Sequence, residues 1–402
     1  MRIAVISPFV DRRHGTERAV AELVERLAAR YGDQVDLYAQ RIADLKTLAP
    51  DEDSGAHGNI HWHRVGKVPG PHILQFLGWL FLNRQARGRS QRKSGQRPDV
   101  VFSPGINALD ADMVLVHAVF HRLAELQTGR EGNGLRGLHR RLYYALLCRF
   151  ERRIYTNPRV TLAAVSKHTA GQLAHYFGRR DVTVIPNGVD VKHFSAEAVV
   201  PLRAASRQRW HCAAEHAVLL LIGNDWRNKG LPALLAALAR CPDLPLRLLV
   251  AGQDDPSAFR AQAAIAGLRE RVEFCGPCED VRSFYAAADV MVAPSLEDSF
   301  NLPVLEAMAC GLPCIVSPKA GMSEWLAHGF DALLLRDPED DGEIAEAIRV
   351  LVGGAQLRQT LAENGIATAK KFSWDEHALQ LRTLMETTAK RKATNKKTAK
   401  AK

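Results

Sequence analysis

The sequence predicts an α/β protein with two doubly wound, Rossmann-like domains that face each other across a cleft. Apolar runs of strand length alternate with amphipathic helical stretches along the whole chain, a rhythm typical of parallel sheets with crossover helices. The chain has 402 residues, too many for one ordinary core, and fits two domains of about 200 residues each. Between the two series of strands, Pro and Gly cluster in PNGVDVKHFSAEAVVPLRAASRQRW, which we interpret as the linker.

This pattern sets the predicted boundaries. The first domain covers residues 1–195 and the second residues 196–372. A helix is predicted at residues 373–388. It follows the second domain and could cross back to the first. Residues 389–402 contain Lys and Arg but no acid, which predicts a basic, disordered tail.

Thirteen segments have the length and apolar character of strands. They are residues 2–7, 34–39, 59–65, 99–103, 113–117, 161–166 and 182–185 in the first half, and 217–223, 246–252, 271–276, 289–294, 313–317 and 332–335 in the second. Ligands of open α/β sheets lie at the carboxyl ends of the strands. The loops that follow these strands are therefore where functional residues are expected.

Composition favours a cytoplasmic protein with reduced thiols. No apolar run reaches the roughly 18 to 20 residues that a membrane span needs, and the opening MRIAVISPFV lacks the basic region of a signal peptide. Seven cysteines is an odd number, which argues against a disulfide framework. Cys275 and Cys278, with Cys310 and Cys314, form a zinc or redox site only if the two pairs converge. Their apolar surroundings favour packing.

Charge divides the chain unevenly. The net charge is +10, with an excess of ten positive charges in residues 1–200 and of seven negative charges in residues 201–387. From His72, the stretch HILQFLGWLFLNRQARGRSQRKSGQR joins a strongly apolar segment containing Trp79 to a dense basic one. Two interpretations stay open: a helix with an interfacial Trp lying on an anionic membrane, or a core helix followed by a solvated basic loop.

The stretch PSLEDSFNLPVLEAMACGLP at residues 294–313 contains two carboxylates, Asp298 and Glu306, around a predicted helix start. Asn301 is a candidate N-cap for a helix at residues 302–310. Carboxylates repel a phosphate but form strong charge-assisted hydrogen bonds with hydroxyl groups. This pair is therefore suited to a sugar.

A second motif, GNDWRNKGLPALLAAL, follows a strand. It places Arg227 and Lys229 just before a helix that begins near Gly230. Two cations above a helix N-terminus suit a diphosphate.

Together these motifs resemble those of the retaining nucleotide-sugar glycosyltransferases of family 4, which have the GT-B fold. The E-x7-E element of that family corresponds to PSLEDSFNLPVLEAMACGLP, its K-G element to RNKG, its G-x-E-R loop to GTER, its domain junction to VIPNGVD and its nucleobase-side loop to FCG. The resemblance covers nearly the whole chain. Two positions depart from the family pattern: the first acid is Asp298, with Glu297 beside it, and the usual Phe-Gly is Phe300-Asn301.

The resemblance implies roles for individual residues. Glu306 would hold the ribose hydroxyls and Asp298 the hydroxyls of the transferred sugar, while Lys229 and Arg227 neutralise the diphosphate. His117, at the end of a strand, would contact the donor sugar or its phosphate, so that the catalytic group is His117, Asp298, Arg227 and Lys229. Further donor contacts are implied for Gly15, Thr16, Gly252, Phe274, Cys275, Gly276, Phe300, Asn301 and Leu302.

Other candidates in the first half are less specific. Asp110 and Asp112 imitate a metal-binding D-x-D, but a three-residue match arises easily by chance, and the resemblance implies no metal or other cofactor. His121 competes with His117, and the two have zinc-like i, i+4 spacing without a third ligand. We assign Asp110 and His121 to the acceptor. Ser166 is read as an N-cap rather than a nucleophile.

The predicted function is retaining transfer of a hexose from a nucleoside diphosphate sugar to a hydroxyl acceptor. The acceptor is expected to be a glycan or glycolipid such as a lipopolysaccharide core precursor, because LYYALLCRFERRIY resembles the enzymes that add hexose to that core. The basic first half predicts peripheral association with the anionic inner face of the cytoplasmic membrane; nucleic acid is not expected. A GT-B nucleotide-sugar epimerase and a catalytically silent binding protein remain alternatives.

Overall fold

A computed structural model describes residues 1–12, 15–45, 56–127, 134–278 and 280–400. The chain forms two compact units, one made of Met1–Gly188 with Trp374–Lys402 and the other of Val189–Ser373. The division between Gly188 and Val189 falls inside the VIPNGVD motif, a few residues before the predicted boundary. The chain returns to the first unit at Trp374.

The first unit contains an eight-stranded sheet in the order β10-β9-β8-β7-β1-β3-β6-β5. All neighbours are parallel except β5, which runs antiparallel to β6, and β2 pairs separately with β4. The sheet order reverses at β1, as in doubly wound folds. The strands are β1 (Arg2–Ile6), β2 (Phe9–Val10), β3 (Gln34–Ala39), β4 (Arg41–Ile42), β5 (Ala56–His57), β6 (Ile60–Arg64), β7 (Val100–Pro104), β8 (Met113–Val116), β9 (Thr161–Ala164) and β10 (Val182–Val184).

Before residue 189, the described part of the chain forms five helices beside this sheet. They are α1 (Gly15–Ala29), α2 (His72–Ser94), α3 (Phe120–Gln127), α4 (Leu135–Tyr155) and α5 (Lys167–Phe177). Strands β1, β7 and β8 are buried almost throughout, because a parallel sheet is covered on both faces. This explains why they read in the sequence as continuous apolar runs.

The second unit is a six-stranded, fully parallel sheet in the order β13-β12-β11-β14-β15-β16. This is the Rossmann strand order, with its reversal between β11 and β14. The strands are β11 (Ala217–Ile222), β12 (Leu246–Ala251), β13 (Val272–Gly276), β14 (Val290–Ala293), β15 (Cys314–Val316) and β16 (Leu333–Leu334). The helices are α6 (Ala196–Val199), α7 (Arg203–Arg209), α8 (Leu231–Ala239), α9 (Ser257–Ile265), α10 (Arg282–Ala287), α11 (Leu302–Ala309), α12 (Asp341–Gly353) and α13 (Ala355–Ala369).

The predicted strands all have counterparts in these sheets, so the α/β prediction is confirmed. The sequence did not reveal β2, β4 and β5, each of which has two residues. Segments this short carry no periodic signal.

The predicted disorder from residue 389 onward is wrong, because helix α14 (Trp374–Lys400) continues through it. Ala, Lys and Arg are good helix formers, and the basic side chains have partners. Arg391 donates to the Arg159 carbonyl at 2.7 Å, and Lys392 donates to Asp112 at 2.6 Å. Much of the tail is therefore an ordered part of the first unit.

Helix α2 agrees with the core-helix interpretation at Trp79 but differs from it in the basic stretch. It runs through the basic stretch to Ser94, so the cations lie on a helix and not in a loop. Trp79 is 3% exposed and is not interfacial, because Trp79, Asn83 and Arg87 follow one another at four-residue spacing on the buried side. The apolar side chains that do face outward are Leu74, Leu77 and Phe81.

None of the helices in the described part of the chain combines the length and apolar character needed to cross a membrane.

Candidate functional site

Two loops of the second unit lie together at the carboxyl ends of the adjacent strands β11 and β14. Residues 223–230 connect β11 to α8, and residues 294–301 connect β14 to α11. The Leu296 amide donates to the Asn228 carbonyl at 2.8 Å, and the Asn228 side chain donates to the Glu297 carbonyl at 2.8 Å. The loops are thus joined where the strand order reverses, which is where ligands bind in such sheets.

Glycines allow neighbouring loops at this edge of the sheet to approach each other closely. Gly230 has φ 79°, and a Cβ there would lie 2.0 Å from the Pro294 carbonyl oxygen. Gly252, after β12, has φ 129°, and a Cβ there would lie 2.1 Å from the Gly223 carbonyl oxygen. Any side chain at either position would force the backbone apart.

The site contains an ion pair between Lys229 and Asp298, which lie on different loops. The Lys229 ammonium donates to Asp298 Oδ2, and the side chains are only 18% and 13% exposed. The other carboxylate oxygen, Oδ1, accepts from the Phe300 amide at 3.2 Å. The structure thus brings together the predicted diphosphate cation and the predicted sugar-binding acid. Arg227, the second predicted cation, is exposed on the first loop.

Glu306 lies on α11 and is 5% exposed. The Tyr285 hydroxyl, from α10, donates to its Oε2 at 2.7 Å. Sequence reasoning missed Tyr285, because FYAAAD reads as part of an ordinary buried helix and nothing local links it to a carboxylate 21 residues away. This bond orients the carboxylate.

Asn301 does not cap α11 as predicted. It has φ 72° and ψ 66°, and its side chain makes no hydrogen bond to the helix N-terminus. Gly and Asn tolerate this left-handed conformation better than other residues, so an Asn can occupy this position. Phe300 is buried against Trp325, with ring centroids 5.6 Å apart, and Leu302 begins the helix.

The predicted nucleobase-side residues follow β12 and end β13. Phe274 packs against Trp226, with ring centroids 5.5 Å apart, and Gly276 has φ 69°. Cys275 is half-buried, and burial raises the pKa of its thiol.

All seven cysteines are free. The Cys275 thiol lies 3.6 Å from the Glu273 carbonyl oxygen, and the Cys278 thiol 3.4 Å from that of Asp280. Burial raises the thiol pKa of Cys314 well above its usual range. These thiols fill space and make weak local hydrogen bonds.

In the first unit, His117 follows β8. Both ring nitrogens are buried and have no hydrogen-bond partner among the described residues. Burial, with His377 as a smaller cause, lowers the pKa of His117 to about 3. His377, on α14, has Nδ1 2.7 Å from the Pro186 carbonyl oxygen, and burial lowers its pKa to about 4. Both rings are neutral near pH 7.

The D-x-D acids have different cation partners. Arg87 forms a two-pronged ion pair with Asp110, with nitrogen–oxygen distances of 2.9 and 2.7 Å, and Asp112 accepts from Lys392. The predicted acceptor residue Asp110 is therefore bound to a cation of α2.

The other predicted acceptor residue, His121, lies in the first turn of α3. Its Nδ1 lies 2.6 Å from Glu151 Oε2, and the buried Glu151 carboxylate also accepts from the amides of Phe120 (2.8 Å) and His121 (3.0 Å). Among the described residues, His121, Cys148 and Glu151 form the one group of three potential metal ligands, with ligand atoms within 4.8 Å of one another. Three nitrogen atoms, the two amides and His121 Nδ1, already lie within hydrogen-bonding distance of this carboxylate. His117 is not a member of the group, so the structure does not place it with His121 as a pair of metal ligands.

Two further predictions concern helix starts. Helix α1 begins at Gly15, followed by Thr16, and residues 13 and 14 lie outside the described residues. The Ser166 hydroxyl accepts from the Thr169 amide at 3.1 Å, so its role as the N-cap of α5 is confirmed.

Comparison with known proteins gives family matches over both units. The family described as "Glycosyltransferase Family 4" matches residues 13–193, and "Glycosyl transferases group 1" matches residues 216–353. Lipopolysaccharide glucosyltransferase WaaG of Escherichia coli is 29% identical over 45% of this chain and 49% of its own length. A D-inositol 3-phosphate glycosyltransferase of Xylanimonas cellulosilytica is 31% identical over 54% of each chain. The chain spans about half the length of the curated relatives it matches.

Solved structures match over a larger part of the chain. The crystal structure of WaaG, a glycosyltransferase involved in lipopolysaccharide biosynthesis, has a TM-score of 0.76 and 21% identity over 95% of this chain and 99% of that one. Anabaena HepE in complex with UDP-glucose has a TM-score of 0.72 and 20% identity over 96% of this chain and 100% of that one. At these identities the likeness is one of fold, and it confirms the predicted GT-B architecture.

Proposed function

The chain belongs to the group 1/family 4 glycosyltransferases, and on that premise we propose that it transfers a hexose from a nucleoside diphosphate sugar to a hydroxyl acceptor. The observation that carries the proposal is the pairing of Lys229 with Asp298 at the carboxyl edge of the second sheet. A cation for a diphosphate and an acid for sugar hydroxyls lie side by side, as a nucleotide sugar requires.

Each group has a chemical task in this proposal. Lys229 and the exposed Arg227 neutralise the diphosphate, and Asp298 accepts from hydroxyls of the transferred sugar. Glu306, oriented by Tyr285, accepts from the ribose hydroxyls. The loop glycines let backbone amides reach the phosphates.

The proposed reaction proceeds with retention at the anomeric carbon. The bond from the anomeric carbon to the phosphate oxygen breaks, and a bond to the acceptor oxygen forms on the same face. The acceptor proton passes to an oxygen of the departing diphosphate. Lys229 and Arg227 stabilise the charge on that leaving group, a type of electrostatic stabilisation that often dominates catalysis.

A donor panel tests the proposal. UDP-glucose, UDP-galactose and GDP-mannose are compared for the rise in melting temperature that each produces, and the stabilising donor is then assayed for transfer. We expect UDP-glucose to stabilise most, since the fold match HepE was solved with that donor. NMR of the product gives its anomeric configuration. An inverted product, or a protein that no nucleotide sugar stabilises, would refute the proposal.

For the acceptor we propose a glycan or lipopolysaccharide core precursor at an anionic membrane surface. Support comes from the outward surface of α2 and α4, which we call the α2/α4 face. The helices lie side by side, with 5.7 Å between the ring centroids of Phe76 and Phe150 and 5.9 Å between those of His72 and Tyr143. Five exposed apolar side chains lie on this face: Leu74, Leu77, Phe81, Leu138 and Leu142.

Cations continue the same face toward the helix C-termini. Arg84 and Arg92 on α2, and Arg149 and Arg152 on α4, are exposed and follow the apolar residues at helical spacing. Helix α2 contains no acid, and the one acid of α4, Glu151, is buried. An apolar face with a basic extension and no exposed acid suits an anionic bilayer.

Vesicle binding tests this surface. The protein should sediment with phosphatidylcholine vesicles that contain phosphatidylglycerol, bind less to vesicles without it, and dissociate as salt is added. A Leu77→Gln/Phe81→Gln/Leu142→Gln variant should bind at least about tenfold more weakly. The matched control is Ile265→Gln, which replaces an apolar residue that is 91% exposed in the other unit.

Equal binding to neutral and anionic vesicles, or unchanged binding of the triple variant, would contradict the membrane proposal. Core-truncated lipopolysaccharide and inositol 3-phosphate, offered with labelled donor, then separate the acceptor classes named for the two curated relatives. Labelling of inositol 3-phosphate alone would overturn the lipopolysaccharide assignment.

A further inference from the structure

Helices α3 and α4 of the first unit bring three metal-binding side chains together. His121, Cys148 and Glu151 each offer one ligand atom, and these atoms lie within 4.8 Å of one another. Cys148 and Glu151 are three residues apart on α4 and therefore share a face of that helix. His121 comes from the first turn of α3, which packs against α4. Imidazole, thiolate and carboxylate are the ligand types that proteins use for Zn²⁺.

The Glu151 carboxylate is already held in one orientation. It is fully buried, and the amides of Phe120 and His121 donate to its two oxygens at 2.8 and 3.0 Å. Carboxylates that bind metals in proteins are usually fixed by outer hydrogen bonds of this kind. Each carboxylate oxygen can accept twice, so each keeps a lone pair for one more partner besides its amide.

The spacing of the three side chains is compatible with a bound ion. His121 Nδ1 and Glu151 Oε2 are 2.6 Å apart, the distance of a hydrogen bond. The ligand atoms of a tetrahedral zinc ion are roughly 3.3 to 3.6 Å apart, and an ion can replace the hydrogen of this bond if the side chains move by about 1 Å. The movement is possible because the His121 side chain is 17% exposed and Cys148 is only half-buried. The same exposure gives an ion access from solvent.

The charges of the group suit a divalent ion. Zn²⁺ bound by one thiolate and one carboxylate forms a neutral site. The Arg152 guanidinium, with a nitrogen 3.5 Å from His121 Nε2, would oppose a site with net positive charge but not a neutral one. The rings of Tyr176 and Phe177 lie against His121, with centroid distances of 5.5 and 4.9 Å. Such an apolar shell lowers the local dielectric, which strengthens the attraction between an ion and its charged ligands.

We propose that His121, Cys148 and Glu151 bind one Zn²⁺ ion, with water as the fourth ligand, and that the ion links α3 to α4. Three protein ligands and a water are the usual set of zinc sites that keep an open position. On binding, the Cys148 thiol loses its proton to solvent, and the imidazole proton moves from Nδ1 to Nε2. The inference is independent of the proposed function, which assigns no task to a metal.

Metal titration tests the proposal. Full-length protein freed of metal with a chelator is titrated with Co²⁺ and then with Zn²⁺, because a thiolate bound to Co²⁺ gives a charge-transfer absorption band in the near ultraviolet. We expect this band to appear as Co²⁺ is added and to disappear as Zn²⁺ displaces it, since such sites bind Zn²⁺ more tightly than Co²⁺. At a hundredfold excess over its dissociation constant, Zn²⁺ should raise the melting temperature by about 5 °C. Mg²⁺ should not, because it disfavours thiolate and imidazole ligands.

Single substitutions locate the ion. Cys148→Ser should lose the charge-transfer band, and His121→Gln should weaken Co²⁺ binding by at least about tenfold. Both side chains are partly exposed, and circular dichroism of each variant checks that the fold is kept. The matched control is Cys278→Ser, which replaces a half-buried free thiol of the second unit and should keep the wild-type spectrum.

Three results would overturn the inference. The first is a wild type that gives neither the charge-transfer band nor a zinc-dependent rise in melting temperature. The second is a band that persists in Cys148→Ser, because another thiol would then hold the ion. The third is an equal rise in melting temperature with Mg²⁺, which would indicate non-specific binding to acids. None of these results bears on donor binding, so the proposed function is tested separately.

Discussion

The residues predicted to bind the donor and those predicted to bind the acceptor have different surroundings. In the second unit, Lys229 and Asp298 lie on two loops that are hydrogen-bonded to each other, and they pair directly. In the first unit, Asp110 pairs with a cation of α2 and His121 with Glu151. These ion pairs stabilise the local fold. They therefore explain the presence of Asp110 and His121 without a role in acceptor binding.

The difference shows which sequence signals predict that residues lie together in space. The donor motifs are extended, and each follows a strand that ends at the reversal of the sheet order. The fold alone therefore brings them together. Asp110 and His121 were single residues chosen for their type. Such residues are common in structural ion pairs, so type alone does not separate binding from folding.

Loss of the Lys229 ammonium should produce the largest effect on the donor side. Lys229→Met removes the cation that we propose balances the leaving diphosphate, and kcat/KM should fall by roughly 10² to 10³. The matched control is Lys371→Met, because Lys371 is an exposed lysine of the same unit. Steady-state kinetics with the selected donor measures both. Equal activity of the two variants would contradict the assignment of Lys229.

The next largest effect is expected for Gly230→Ala, which should destabilise the fold. Gly267→Ala is its matched control. Both glycines have positive φ, 79° and 72°, but a Cβ at Gly267 meets nothing within 4 Å. We expect Gly267→Ala to cost about 1 kcal/mol in the free energy of unfolding and Gly230→Ala about 2–4 kcal/mol. Urea unfolding measures the difference. Equal costs would show that the loop contact at Pro294 relaxes easily.

Glu306→Gln should weaken donor binding by roughly 10- to 100-fold, because hydrogen bonds to a charged acceptor become neutral ones. The change should raise KM more than it lowers kcat, since the ribose is not the reacting group. Tyr285→Phe removes the orienting hydroxyl but keeps the carboxylate, and it should have a smaller effect. Isothermal titration with UDP measures both, and a larger loss in Tyr285→Phe would reverse the assigned roles.

The smallest effect concerns pH and two histidines of the first unit, His377, which is buried, and His117, whose ring nitrogens are buried. Their pKa values are lowered to about 3 for His117 and about 4 for His377, so the folded state resists protonation while the unfolded state titrates near 6.5. Stability is full above pH 6.5 and falls as pH drops toward the folded-state values. At pH 6 the loss is about 1 kcal/mol for each histidine.

Unfolding free energies measured from pH 7 to pH 4.5 test this. The variant His117→Gln/His377→Gln should show a flatter decline than the wild type, whereas the exposed His211→Gln should not. An unchanged slope in the double variant would contradict the burial of both rings.

Much of the fold was predictable, because parallel strands buried on both faces leave long apolar runs in the sequence. What could not be predicted depends on distant contacts. The sequence left open whether Trp79 lies at an interface or in the core, since only the packed helix determines which side of α2 faces inward. Tyr285 was missed because its contact with Glu306 exists only after folding. The helical structure of the tail was not predicted, because the partners of Arg391 and Lys392 lie far away in the sequence.

Helix α14 determines when the first unit can be completed during synthesis. Its Arg382 binds Asp33 at 2.7 Å, and residues such as Leu381 and Met385 are fully buried. A ribosome must therefore translate all of Val189–Ser373 before the earlier part of the chain receives this helix. The second unit can finish folding while the first still exposes the apolar surface that α14 will cover, so the part that starts first is the last to become stable.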